Sequence, residues 1–170
     1  MLKTGVIHVV VLMLAMTNVV YATQDKLQYQ ELSDKHRAIL ADLKKCTVFE
    51  DIRFIASKNA EIIYGNWTKA EGKKRRVVSM LFCQETKINT AISIPASGLT
   101  KEERKALYAV IDEEIVKVKD FIKKEDIRII ETEDYDICLA WVKEEVQDKR
   151  NVTTHFDKET GVYTSISESK

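Results

Sequence analysis

Val77-Val78-Ser79-Met80-Leu81-Phe82-Cys83, then Gln84-Glu85-Thr86-Lys87, then Ile88-Asn89-Thr90-Ala91-Ile92-Ser93-Ile94-Pro95, is the stretch on which the fold turns. The first seven residues are nearly all apolar. The last eight alternate apolar or β-branched with small or polar residues, and a polar tetrad lies between. This is the pattern of two strands joined by a turn and closed by a proline. The same residues place Val77, Leu81, Ile88 and Ile92 at helical spacing, so a helix is the competing reading. Strands here make an α+β domain, whereas a helix here and another over 132–148 would make a mostly helical bundle.

Downstream, Thr100 with Glu103 forms a capping box. Leu107, Ile111, Ile115, Val118 and Ile122 follow at steps of three and four, which predicts a long amphipathic helix over 100–124. Ile127-Arg128-Ile129-Ile130 opens a β-rich tail, in which Ile137, Leu139 and Trp141 alternate with Cys138, Ala140 and Val142. Residues 152–156 and 162–166 flank Asp157-Lys158-Glu159-Thr160-Gly161, a hairpin turn whose glycine tolerates positive φ.

Upstream, Leu32, Ile39, Leu40 and Leu43 predict a surface-facing amphipathic helix over 25–45. Thr47 with Glu50 starts a second helical stripe through Val48, Ile52, Ile55, Ile62 and Ile63 to Gly65, although Ser57-Lys58-Asn59 and many β-branched residues also suit strand. Residues 65–76, with two glycines and a basic end, read as a polar connection. The expectation is therefore an α+β domain in which two N-terminal helices and one long central helix cover one face of an antiparallel sheet.

At the N-terminus, Lys3 precedes an apolar run from Gly5 to Met16, and Val20-Tyr21-Ala22 follows. That layout predicts a cleavable signal peptide over 1–22 and one exported globular domain over 23–170. The run carries His8 and stops at Thr17-Asn18, short of the span a stable membrane anchor needs. The chain has 170 residues with 27 basic and 27 acidic side chains, so it lacks the net basic footprint expected of a nucleic-acid binder.

Export makes one disulfide among Cys46, Cys83 and Cys138 the expectation, and their spacing does not choose the pair. Asn66-Trp67-Thr68 and Asn151-Val152-Thr153 are N-glycosylation sequons, which favours an extracellular protein over a periplasmic one.

The candidate chemistry is sparse. Gly-x-Ser-x-Gly and His-Glu-x-x-His are absent, and the glycines do not cluster as a phosphate loop requires, so no catalytic, cofactor or metal residue is assigned. Cys83 or Cys138 with His155 is a possible nucleophilic pair only if the thiol is exposed. Glu131, Glu133, Asp134 and Asp136 lack the glycine and distal glutamate of an EF-hand and read as a solvated turn. Lys73-Lys74-Arg75-Arg76 is a processing site, a contact for sulfated glycans and anionic surfaces, or a charged guard before an apolar strand.

These features point to a secreted non-enzymatic protein that binds another protein or a small apolar ligand. The surface singled out is Trp67 with Lys73, Lys74, Arg75 and Arg76. A periplasmic inhibitor of a toxin or hydrolase, and an exported hydrolase with an unfamiliar site, are the alternatives.

Overall fold

The computed structural model describes residues 26–170, so the signal peptide expected over 1–22 lies outside the described residues. Ser33 caps α1 (Asp34–Lys45) by accepting the His36 amide, and Lys44 and Lys45 meet the negative end of the helix dipole. Then come β1 (Arg53–Ser57), a π-helical segment (Glu61–Trp67) and its continuation α2 (Thr68–Lys73). β2 (Arg76–Cys83) and β3 (Ile88–Pro95) form a hairpin, and α3 (Lys101–Glu125) follows behind a complete Thr100–Glu103 capping box. The chain ends with β4 (Ile127–Thr132), α4 (Tyr135–Gln147), β5 (Asn151–Asp157) and β6 (Val162–Glu168).

The fold is α+β. Among the described residues, six antiparallel strands form one sheet in the order β2-β3-β1-β4-β6-β5. The predicted strand pair at 77–95, the long helix and the C-terminal hairpin are all present. Gly161 closes that hairpin with φ +70°.

Four expectations are corrected. α1 starts at Asp34, because the chain before Ser33 is extended. The second N-terminal helix over 47–64 is not formed. Phe54, Ile55 and Ala56 are fully buried on both faces of a central strand, and there β-branched and apolar residues win over helical spacing. The polar connection over 65–76 is mostly helical, since Ile62, Ile63 and Trp67 drive one face into the core. Residues 137–142 are helical: Ile137, Cys138, Trp141 and Glu145 make up the buried stripe of α4, and the polar Glu145 hid its period.

Helices cover both faces of the sheet instead of one. On the first face, α1 and α3 enclose a core that includes Leu43, Phe54, Ile92, Ile111, Ile115 and Ile129. On the second, the π-helical segment, α2 and α4 enclose Ile55, Ile63, Trp67, Ile130, Cys138 and Trp141. Alternation along β1 and β4 sends Phe54 and Ile129 to one side and Ile55 and Ile130 to the other. Among the described residues, no helix is long and apolar enough to cross a membrane.

Candidate functional site: a groove opened by an imperfect internal repeat

The sheet order reads the same from either edge, because the chain repeats one unit. β1, the π-helical segment with α2, β2 and β3 correspond to β4, α4, β5 and β6. The repeat extends to side chains. Trp67, Glu71, Arg76 and Ser93 recur at the same spacing as Trp141, Glu145, Arg150 and Ser167, with Arg53 matched by Arg128. The Trp67 indole donates to the Glu131 carbonyl at 2.8 Å, and the Trp141 indole donates to the matching Ala56 carbonyl at 3.0 Å.

Each half carries a buried ion cluster that ties a helix to two strands. In the first, Glu71 accepts from Arg53 Nη1 at 3.1 Å and from Ser93 Oγ at 2.5 Å, with Arg76 Nε 3.0 Å away. In the second, Glu145 accepts from Arg128 Nη1 at 2.9 Å and from Ser167 Oγ at 2.5 Å, with Arg150 Nε 3.4 Å away. Arg76 also donates to the Asp51 and Ser93 carbonyls, as Arg150 does to those of Asp126 and Ser167. Both carboxylates are fully buried and saturated with donors, so the clusters fix the geometry of each half and present no free group to a substrate.

The halves differ where helix meets helix. At one end Glu144 of α4 reaches across to accept from Ser57 Oγ at 3.0 Å and from the Asn59 amide at 3.1 Å, and Lys58 pairs with Asp148 at 3.2 Å. At the matching end the residue before Glu71 is Ala70, which has no side chain to make the crossing. A groove of about 640 Å³ lies there, lined by Gly65, Asn66, Lys69, Lys73, Asp134 and Asp136 among others. Lys74 pairs with Glu133 at 2.7 Å beside it, with the signs of the Lys58–Asp148 pair exchanged. Burial pushes the Glu133 carboxyl up, but the hydrogen bonds from Lys74 and Arg53 outweigh it and hold it below the ordinary value. Asp134 caps α4 by accepting the Asp136 and Ile137 amides. Among the described residues, Lys69 and Lys73 on one wall and Asp136 on the other have no ion-pair partner.

The residues singled out from sequence divide sharply. Trp67 is completely buried, and the Arg76 side chain is 6% exposed and committed to Glu71 and Asp51, so neither belongs to a contact surface. Lys73 and Lys74 do line the groove, while Arg75 turns the chain into β2 at φ 58° and stays exposed. Cleavage after Arg76 would require β2 to leave the sheet. Asn66 is exposed at the groove, and Asn151 is exposed at the start of β5.

The expected disulfide is absent, because all three described cysteines are free. Cys138 lies in the core against Ser165 at 3.3 Å, and burial pushes its thiol up to about 11. Burial also raises the Cys46 thiol, whereas hydrogen bonds from Thr86 lower that of Cys83. His36 and His155 face Glu168 and Glu31. The four carboxylates of 131–136 do not act as one turn: Glu131 is buried in the sheet, Glu133 is ion-paired and Asp134 is a helix cap.

The chain matches no protein-family model, no curated protein and no solved structure.

Proposed function

We propose that this chain is an exported, non-enzymatic binding protein that receives a mixed-charge protein segment in the groove between α2 and the start of α4. The carrying observation is the substitution within the repeat, Ala70 in the place of Glu144. One of two equivalent clefts is bridged by the protein's own carboxylate, and the other is left open between a lysine wall and a carboxylate wall. Unpaired charges of opposite sign facing each other suit a segment that presents both signs. Export and glycosylation belong to the same reading and rest on residues 1–22 and on Asn66 and Asn151, where a glycan on Asn66 would stand at the groove.

The test is a ¹⁵N–¹H titration with a short peptide of alternating lysine and glutamate. The expected result is shifts at Gly65, Asn66, Ala70 and Ile137 that disappear in Ala70→Glu, which restores the missing bridge. Shifts confined to other surfaces, or turnover of the peptide, would overturn the reading. Intact mass before and after glycosidase treatment checks the start of the exported chain and both sequons.

A further inference from the structure

The two edges of the sheet are finished differently. On β5 the N-terminal segment lies alongside: the Gln30 amide donates to the Thr154 carbonyl at 2.7 Å, Leu27 is buried, and Tyr29 packs on Phe156 and Tyr163 with ring centres about 6 Å apart. β2 is the matching edge. Met80 faces Ala91 as Thr154 faces Ser165, and Phe82 matches Phe156. Because the Thr154 carbonyl points outward and strand groups alternate, Val78, Met80 and Phe82 carry outward N–H and C=O groups. No described segment covers them.

An exposed strand edge is normally guarded by charge, proline or a covering segment. From Val77 to Cys83, β2 has no charged residue and no proline. Large apolar residues also gather there. Met80 and Phe82 are 37% and 41% exposed, and Tyr64, bonded to Asn89 at 3.3 Å, lies over the neighbouring strand. On the other face, Ser79 donates to Asp112 of α3 at 2.6 Å, and the exposed Tyr108 and Val116 stand one turn to either side of Asp112.

We propose that β2 pairs antiparallel with β2 of a second copy of this chain, across a two-fold axis through Met80, so that two sheets become one. This register puts Val78 opposite Phe82 of the second copy and Ser79 opposite its Leu81. It brings Arg75 and Arg76 towards Glu85 and Gln84 of the second copy. Arg75 has no ion-pair partner among the described residues and gains the exposed Glu85, which it shares with Lys123, whereas parallel pairing would stack the two basic ends. The covered β5 edge leaves each copy one place to pair. Assembly therefore stops at two and does not run on into a fibre.

Sedimentation velocity from low to high micromolar concentration tests this with the wild type, Met80→Lys and Met80→Glu. The expected outcome is a wild-type dimer, with each variant weakening self-association by about tenfold or more, since like charges meet at the axis. Mixing the two variants restores a dimer. Because the Met80 side chain is half exposed, circular dichroism should show both variants folded. A second measurement needs no variant: amide exchange at Val78, Met80 and Phe82 in the wild type slows as concentration rises. A wild type that stays monomeric, a dimer indifferent to Met80→Lys, a dimer lost only on reduction, or exchange independent of concentration overturns the proposal.

Discussion

Ile55 of β1 stands opposite Ile130 of β4, and each holds in its own half of the molecule the place the other holds in its half. The pseudo-two-fold axis of the fold passes between them. Around it the two indoles cross over, Trp67 to the Glu131 carbonyl and Trp141 to the Ala56 carbonyl, so each half completes the other's core.

Either indole replaced by phenyl loses a buried hydrogen bond and some packing. Trp67→Phe and Trp141→Phe are each expected to cost about 2 kcal/mol, read from urea midpoints at constant slope. Similar losses from the two variants follow from their matched positions, and a loss several times larger for one of them would contradict the equivalence.

Glu145, fully buried, holds together two arginines and a serine. Glu145→Ala leaves Arg128 and Arg150 buried without their carboxylate, and it should lower stability by about 3–5 kcal/mol. Glu71→Ala should behave alike. Chemical denaturation at neutral pH reads both, and a change below about 1 kcal/mol would show the cluster to be dispensable.

Burial pushes the Glu131 carboxyl above its ordinary 4.5, against the pull of Lys44, and one of its oxygens has no partner. A raised carboxyl favours the folded state at low pH, and this contribution is lost as pH climbs from about 4.5 through the folded value. Asp148 is opposite in sign. Its hydrogen bond from Arg128 holds it below 3.8, so its contribution is present above that value and lost as pH falls further. Melting temperatures across pH should rise for Glu131→Gln near neutrality and converge with wild type in acid. For Asp148→Asn they should fall near neutrality and converge in acid as well.

The two hairpins turn at equivalent positions, Lys87 at φ 59° and Gly161 at φ 70°. Only glycine adopts this region without strain, so Lys87→Gly is expected to stabilise by up to about 1 kcal/mol and Gly161→Ala to destabilise by a similar amount. Thermal melts of both variants check the sign.

Glu144→Ala should open the cleft that the protein bridges. The direct readout is faster exchange at the Asn59 amide, with a stability loss of about 1 kcal/mol. Unchanged exchange there would mean that the carboxylate does not hold the cleft shut.

Much of this architecture was legible in the sequence. The hairpin at 77–95 declared itself by alternation and by Pro95, α3 by its capping box and stripe, and the last hairpin by Gly161. β1 was obscured because a strand buried on both faces has no alternation to display. α2 was obscured by Gly65 and Gly72, and α4 by a charged residue on its buried face.

The groove was half visible. Lys73 and Lys74 were singled out, but Trp67 and Arg76, beside them in sequence, point inward. Ala70 could acquire meaning only beside Glu144. The recurring spacing of Trp67, Glu71, Arg76 and Ser93 is the sequence signal of the repeat, and it is faint because the apolar residues between these markers differ in the two halves.

The crossed indoles bear on how the chain can come apart. Each bridges residues remote in sequence, 64 apart for Trp67 and 85 apart for Trp141. Neither half can close its interior before the other arrives, so the structure is expected to melt in one step, with no half-folded resting state. A peptide bond cut in the connection before α3 would leave two fragments, each unable to hold shape alone, and mixing them is the only way either recovers it.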